Sequence, residues 1–361
     1  MEKKRIGVIF GGRSGEPEVS LLSAASVIRA IDKDKFDLFY IGITKDGRWM
    51  AVPQVFARDE SGDRDITPEI IENGTWQNAA TAVNPWDIKN HIDFALPIMH
   101  GPYCEDGRIQ GLLEMLDIPY GGCGVLASAM AMDKAVSKEI FRQNGLPVCE
   151  YQLVTNVDID KYKEGTIDKI EKAVGYPCFV KPANMGSSVG ISKAANRREL
   201  EEALKLALHH DKRIVVEECI DCREIETGIL GNENPEAAAV GEILPSAEFY
   251  DYNAKYCDGG ASKLCIPADL PADVTEKIRQ MAVKAYKSID GEGYARVDFF
   301  IDKKTDSIYL NEINTIPGFT KYSMFPLLWE AAGVKYHETI ERIIELGYER
   351  YYAKNSRKTV L

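Results

Sequence analysis

The chain has 361 residues, of which 45% are hydrophobic and 28% charged, the balance of a globular protein with two or three domains. Its net charge of −12 argues against a general nucleic-acid-binding protein, which would carry a basic surface. No stretch reaches the roughly 20 apolar residues of a membrane span, and no signal peptide opens the chain, so we expect a cytoplasmic protein without a membrane partner. The eight cysteines should be reduced, and Cys219-x-x-Cys222 is interpreted as ordinary thiols because no second pair or nearby histidine accompanies it.

The N-terminal third alternates short apolar strands with helical periodicity. This alternation predicts a doubly wound parallel sheet. Residues 57–90 are polar, have no clean period and are interpreted as an insertion. The elements that carry the pattern are Ile6–Phe10, Glu16–Ile31, Leu38–Ile43, Phe94–Met99 and a helix over 109–116.

The pattern changes after a predicted helix over Ser128–Asn144. Strands and helices then follow in the order of two smaller α+β units. We therefore expect an N-terminal α/β domain over 1–127, a central α+β domain over 128–217 and a C-terminal α+β domain over 218–361. The predicted strands are Tyr151–Thr155, Cys178–Lys181, Ile191–Ala194, Ile214–Cys219, 224–230, 239–244, 294–301 and 307–313, and the helices are 167–174, 198–209, 272–289 and 326–350.

Two glycine-rich turns are candidate ligand sites. The first, residues 11–16, lacks the GxGxxG spacing and so disfavours a nicotinamide dehydrogenase. It still follows the first strand, where α/β proteins bind ligands, and Glu16 would attract an ammonium group there or simply complement the helix dipole. The second, residues 181–190, lies between two strands and could wrap a phosphate with Lys181 as its charge, although it is no Walker A loop. A flexible hairpin loop is the alternative for this segment.

A predicted hairpin near the C-terminus carries a polar face. Because strand side chains alternate, Arg296 and Asp298 share one face of the first strand, and Glu312 and Asn314 share one face of the second. If the apolar neighbours point into the core, these four groups converge. Two carboxylates and an amide oxygen suit Mg²⁺, and an arginine beside them suits an oxyanion or phosphate. A solvated hairpin face would give the same alternation.

The glycine loop and the hairpin together suggest ATP held between two α+β modules, with an amine-bearing substrate at the N-terminal unit. At this point the sequence resembles the D-alanine–D-alanine ligase family, of the ATP-grasp fold, over residues 4–350. The resemblance rests on seven segments in order: GGRSGEPEVSLLSA, HGPYCEDGRIQG, MDK, VKPANMGSSVGISK, FYDYNAKY, RVDFF and NEINTIPGFT.

The resemblance implies an ADP-forming carbon–nitrogen ligase that joins two D-alanines through an acyl phosphate for peptidoglycan synthesis and cell-wall biogenesis. It implies ATP as substrate, Mg²⁺ (two ions, with Mn²⁺ as a substitute) and a homodimer. The domains over 128–217 and 218–361 would be the two ATP-grasp domains. The first would carry the phosphate loop, and the second would carry the Mg²⁺ site and a lid formed by the FYDYNAKY segment.

Roles for individual residues follow from the same resemblance. Glu16 would bind the ammonium of the first D-alanine, with His100 and Glu105 lining that subsite. Ser187 would bond to Tyr256 and close the lid, while Arg296 and the backbone at Gly318 would stabilise the oxyanion. Ser323 would bind the second substrate's carboxylate. The ATP-binding residues would be Lys134, Lys181, Glu217, Glu224 and Lys255, and the metal ligands Asp298, Glu312 and Asn314.

The chain departs from the family at two places. Cys104 stands where members usually have glycine, and the added Cβ restricts φ, so we expect that loop to be placed differently. Lys321-Tyr322 replaces the usual Ser-His before Ser323, beside the second-substrate subsite. D-alanyl-D-serine therefore stays an alternative product, whereas Tyr256 argues against D-alanyl-D-lactate. Another ATP-grasp ligase and a non-catalytic nucleotide-binding regulator are further alternatives.

Overall fold

The computed structural model describes residues 3–13, 16–54, 67–244 and 263–357. Its N-terminal part is a five-stranded sheet of order β4-β3-β2-β1-β5, in which β1 runs parallel to both β2 and β5. The parallel centre is as predicted, but β3 and β4 extend the sheet antiparallel at one edge. The elements are β1 (Lys4–Gly11), α1 (Pro17–Ala30), β2 (Phe36–Ile43), β3 (Trp49–Val52), α2 (Thr67–Glu72), β4 (Thr81–Ala82), β5 (Phe94–Ile98) and α3 (Arg108–Met115).

The described part of the expected insertion belongs to the N-terminal core. Residues 57–66 lie outside the described residues, but Trp76 is buried and packs edge-on against Phe10, with ring centroids 5.4 Å apart. A turn at Gly11 ends β1 with φ +84°, where any Cβ would collide with the carbonyl oxygen of Ile43. That turn brings the chain to the start of α1 at the carboxyl edge of the sheet.

The central part is a four-stranded antiparallel sheet of order β6-β9-β7-β8. The single helix predicted over Ser128–Asn144 is wrong, because Asp133 is extended and its carboxylate caps a second helix by accepting the N–H groups of Ala135 and Val136. The elements are α4 (Val125–Met132), α5 (Lys134–Gln143), β6 (Tyr151–Thr155), α6 (Asn156–Ala173), β7 (Cys178–Pro182), β8 (Ser192–Ala194), α7 (Arg197–Leu208) and β9 (Arg213–Glu218).

The C-terminal part is a five-stranded antiparallel sheet of order β12-β11-β10-β13-β14 with α8 on its apolar face. The helix predicted over 326–350 is two helices, interrupted where Gly333 takes φ +89°. The elements are β10 (Cys222–Leu230), β11 (Glu236–Leu244), β12 (Lys263–Cys265), α8 (Ala272–Ser288), β13 (Tyr294–Asp302), β14 (Ile308–Asn314), α9 (Met324–Ala331) and α10 (Tyr336–Asn355).

One parallel α/β unit followed by two α+β units is the predicted fold class, and it is confirmed. The predicted domain boundaries after residues 127 and 217 fall inside α4 and β9, so we propose the joints at the adjoining loops, 121–124 and 219–221. Within the described residues, no helix is both long and apolar enough to span a bilayer.

Candidate active site

The β13–β14 hairpin carries the polar face that the sequence predicts. Arg296 pairs with Asn314, and Asp298 pairs with Glu312. The intervening Val297 is fully buried in the core. The register then shifts, so that Phe299 pairs with Leu310 and one residue of β14 is left over. This bulge turns Glu312 and Asn314 to the same side as Arg296 and Asp298, while Leu310 stays in the core.

Arg296 is held by two carboxylates on this face. Its Nε and Nη2 each donate to Asp298 at 2.7 Å. Its Nε also lies 2.9 Å from Oε2 of Glu226, a buried residue on β10 that pairs in register with Asp298. The guanidinium is thus fixed in direction beside the carboxylates, which suits the binding of an oxyanion. Sequence reasoning missed Glu226 because the pairing of β10 with β13 cannot be inferred from the local pattern.

The donor set on the hairpin fits Mg²⁺. Asp298 and Glu312 offer carboxylate oxygens on neighbouring strands, and Asn314 offers an amide oxygen two residues along. The Asn314 Oδ1 already accepts the N–H of Ile316 at 3.1 Å, which orients it and leaves its second lone pair available. Among the described residues no group of three or more His, Cys, Asp or Glu forms a metal cluster, so the set depends on the asparagine.

Two predicted ATP lysines project toward the hairpin from different elements. Lys134, at the start of α5, donates to the carbonyl of Met185 in the glycine loop at 2.6 Å and lies 3.8 Å from Oε2 of Glu312. Lys181, on β7, donates to Oε2 of Glu217 at 2.6 Å. The other oxygen of Glu217 lies 3.1 Å from Nζ of Lys138, which sequence reasoning did not identify.

The pKa values of Glu217 and Lys181 keep both of these groups charged. Burial alone would raise the pKa of Glu217, but Lys138 and Lys181 outweigh it and lower the pKa to about 2. Burial would lower the pKa of Lys181, but the carboxylates of Glu217 and Glu312 outweigh it and raise the pKa above its usual range. A buried site with excess positive charge suits a polyphosphate.

The glycine loop between β7 and β8 has a strained tip. Ser187 and Ser188 both take left-handed backbone conformations, with φ +59° and +58°. Such conformations cost about 1–2 kcal/mol each for residues with a side chain and occur often in ligand-binding loops. Two predicted site residues lie outside the described residues: the ATP-binding residue Lys255 and the partner of Ser187, Tyr256.

The predicted first-substrate residues meet at the edge of the N-terminal sheet. Glu16, His100 and Glu105 are all buried there. His100 Nδ1 lies 3.8 Å from Oε1 of Glu105. The glycine loop also approaches this carboxylate, since a Cβ added to Gly186 would lie 3.8 Å from Oε2 of Glu105. Burial would lower the pKa of His100, but the carboxylates of Glu105 and Glu16 and the Ile316 carbonyl outweigh it and raise the pKa. The cluster is acidic overall, as a site for an ammonium group requires.

A buried serine of α1 joins this cluster to the loop after β14. The Ser23 Oγ accepts the N–H of Phe319 at 3.2 Å and lies 3.4 Å from Nε2 of His100. His100 Nδ1 donates to the Ile316 carbonyl at 3.0 Å, so this nitrogen carries a proton, because a carbonyl only accepts. In the sequence, Ser23 is marked only by its position on the inward-facing side of a predicted helix. That position predicts a packing role and gives no indication of a contact with the site.

Gly318 and Ser323 lie side by side in the same loop. A Cβ on Gly318 would be 2.7 Å from the Ser323 Oγ, so a side chain at this position would force the serine hydroxyl to move. The Ser323 Oγ accepts the N–H of Thr320 at 2.9 Å. Lys321 and Tyr322 lie on the exposed side of the loop, with the lysine Nζ 4.9 Å from the tyrosine ring centroid. Glu224 shares the face of β10 that carries Glu226.

The two unusual cysteine features have plain structural answers. Cys104 is buried with its backbone outside the positive-φ region, which Gly101, Tyr103 and Gly107 take instead, so its Cβ does not strain the loop. Burial raises the pKa of Cys222 to about 12, which keeps its thiol protonated and poorly suited to redox or metal chemistry.

Known proteins resemble this chain over nearly its whole length. The family model described as D-ala D-ala ligase C-terminus matches residues 140–345, and the model described as D-ala D-ala ligase N-terminus matches residues 5–123. The chain belongs to the D-alanine–D-alanine ligase family. A D-alanine–D-alanine ligase of Thermoanaerobacter sp. (strain X514) is 50% identical over 98% of this chain and 99% of its own, and one of Acetivibrio thermocellus is 48% identical over 97% of each.

Two solved structures of ligases share the fold. The crystal structure of the VanG D-Ala:D-Ser ligase from Enterococcus faecalis has a TM-score of 0.83 and 34% identity, covering 96% of this chain and all of its own. The D-alanine–D-alanine ligase from Coxiella burnetii also has a TM-score of 0.83, with 31% identity over 99% of this chain and 97% of its own.

Proposed function

We propose that this ligase uses ATP to join two D-alanines into D-alanyl-D-alanine, for peptidoglycan precursor synthesis in the cytoplasm. The observation that carries the proposal is the convergence of three groups of side chains. The hairpin face holds Arg296, the lysine cluster of the central domain adjoins it, and the acidic subsite at Glu16 and His100 meets the loop that carries Gly318. A nucleotide and an amino acid can therefore be held against one another.

The first step activates a carboxylate. An oxygen of the first D-alanine's carboxylate attacks the γ-phosphorus of ATP, the bond to the bridging oxygen breaks, and ADP leaves with that electron pair. Lys134 and Lys181 neutralise charge on the phosphoryl oxygens, and Glu16 holds the substrate's ammonium group. When bound at Asp298, Glu312 and Asn314, Mg²⁺ would supply further charge neutralisation at the phosphates.

The second step forms the amide. The uncharged amine of the second D-alanine attacks the acyl carbon to give a tetrahedral oxyanion. The oxyanion collapses as the bond from the acyl carbon to the phosphate oxygen breaks, inorganic phosphate leaves with that electron pair, and it takes up the proton that the nitrogen releases. Arg296 and the backbone at Gly318 stabilise that oxyanion, and the Ser323 hydroxyl holds the second carboxylate. Ser187, at the tip of the glycine loop, helps exclude water, since an acyl phosphate hydrolyses readily.

D-Serine is the second candidate acceptor, and the loop at Lys321 and Tyr322 is the observation that favours testing it. Tyr322 is 73% exposed, beside the serine that we assign to the second carboxylate. The purified protein should release ADP with D-alanine as the sole amino acid, and mass spectrometry should find D-alanyl-D-alanine. With both acceptors present, predominance of D-alanyl-D-serine would replace the proposed product, and absence of ADP release would refute a ligase.

Several finer features belong to the same proposal. We propose that two Mg²⁺ ions bind with the nucleotide, that Mn²⁺ can substitute, and that Glu224 contacts the ribose and Glu217 the adenine. We also propose a homodimer, which light scattering after gel filtration would test directly.

A further inference from the structure

The α5 helix supplies two lysines to the nucleotide site, and only one of them can reach a ligand. Lys134 and Lys138 are one helical turn apart and project from the same side of the helix. Lys134 reaches the glycine loop and Glu312, as described above. Lys138 is 1% exposed, and its Nζ lies 3.1 Å from Glu217 and 5.9 Å from the centroid of the Tyr151 ring.

Lys138, Glu217 and Lys181 form one buried ionic chain. The two carboxylate oxygens of Glu217 are divided between the lysines, at 3.1 Å from Lys138 and 2.6 Å from Lys181. Two ammonium groups and one carboxylate leave one net positive charge. The adjacent thiol of Cys149 adds none, because burial raises its pKa to about 11. Glu312 also faces Lys181, but its charge is shared with Lys134 and, in our proposal, with Mg²⁺.

We propose that Lys138 is a positioning residue for nucleotide binding. Its ammonium group neutralises the carboxylate of Glu217, so that the positive charge of Lys181 stays available to the phosphates of the nucleotide. The inference rests on the proposed function. Without Lys138, the carboxylate of Glu217 would be balanced by Lys181 alone, and the pair would present no net charge to a polyphosphate. Lys138 itself does not touch the nucleotide.

The inference predicts a loss that depends on the number of phosphates. Lys138→Met should weaken the binding of ATP by about tenfold or more, the order expected for one unit charge at the effective dielectric of a protein site. The loss should be smaller for ADP and near twofold or less for AMP. A residue with a merely structural role would weaken all three alike. Lys138→Gln, which keeps a donor for Glu217 without the charge, should show the same trend and serves if the methionine variant does not fold.

Arg142→Met is the matched control. Arg142 lies one turn further along α5, its guanidinium is 4.4 Å from the same Tyr151 ring, and it bonds to Glu150 at 3.0 Å rather than to Glu217. This control removes the same unit charge from the same helix but leaves the charge balance at Glu217 unchanged. The affinities for ATP, ADP and AMP should therefore stay within twofold of wild type. The double variant Lys138→Met/Glu217→Gln restores one net positive charge and should recover most of the ratio between ATP and AMP affinity.

The experiment is isothermal titration of the full chain with ATP, ADP and AMP at fixed Mg²⁺. Losses that grow with phosphate number in both Lys138 variants, and recovery of the ratio in the double variant, support the inference. Equal losses for the three nucleotides, unchanged ATP binding, or the same loss in Arg142→Met would overturn it while leaving the ligase proposal intact. Failure of the wild-type protein to bind ATP would instead overturn the proposed function itself.

Discussion

Ser23 offers the sharpest test of how the N-terminal domain controls the reacting centre. Its hydroxyl is fully buried and accepts the N–H of Phe319, the residue after Gly318. Ser23→Ala leaves that N–H without its acceptor, and a buried unsatisfied donor costs about 1–3 kcal/mol. A loss of that size in transition-state stabilisation would lower kcat/KM roughly 5- to 150-fold. Because the unpaired N–H also destabilises the free enzyme, only part of the cost affects catalysis, and we expect kcat/KM for D-alanine to drop about tenfold.

The assay is the initial rate of ADP release against D-alanine concentration at saturating ATP, with Tm measured in parallel. Ser128→Ala is the control, because Ser128 is equally buried but donates to the Cys123 carbonyl at 3.4 Å, away from the loop. In both variants Tm should fall by up to about 2–4 °C for each kcal/mol of lost stability, whereas kcat/KM should fall only in Ser23→Ala. Equal kinetic losses in the two variants, or none in Ser23→Ala, would refute the argument.

Three further predictions address single carboxylates. Glu312→Gln keeps the shape of the side chain but removes a charge that would hold Mg²⁺, so turnover should fall at least ~100-fold with Tm nearly unchanged. Near-normal turnover at ordinary Mg²⁺ concentrations would show that Glu312 is not part of the metal site. Glu16→Gln should raise KM for the first D-alanine while ATP affinity stays within a few-fold, and a change confined to ATP would mean that the first glycine turn binds nucleotide. The pKa of Glu217 is about 2 in the folded chain against an ordinary 4.5, so its contribution to stability is complete above 4.5 and disappears as the pH falls toward 2. Urea-unfolding midpoints should therefore fall more steeply over that range in wild type than in Glu217→Gln, and parallel curves would contradict the assigned ion pairs.

Much of the fold could be predicted because strand and helix periods are local properties. The strand Tyr151–Thr155 is confirmed with its predicted bounds, and the hairpin pairs Asp298 with Glu312 as a converging face requires. The break at Asp133 was missed because no glycine or proline marks it. An aspartate in the middle of an apolar helical pattern is as consistent with an exposed helical position as with a cap.

The site shows where local reasoning ends. Strict alternation would put Leu310 and Glu312 on the same face, and only the bulge in β14 separates them. Lys138 and Ser23 contact partners 79 and 296 residues away, so no spacing within a helix could identify their roles. Residues that contact substrate follow a motif, whereas those that hold them in place are defined by tertiary contacts.

The fate of one oxygen atom shows whether the reaction passes through an acyl phosphate. If the carboxylate of the first D-alanine attacks the γ-phosphorus and phosphate later leaves the acyl carbon, that carboxylate must give one oxygen to inorganic phosphate. D-alanine labelled with ¹⁸O in its carboxyl group, incubated with the enzyme, ATP and Mg²⁺, should yield phosphate carrying one ¹⁸O for each D-alanyl-D-alanine formed, with ADP as the other product. Unlabelled phosphate, or AMP and pyrophosphate in place of ADP, would contradict an acyl phosphate and the roles proposed here for Arg296 and the lysine cluster.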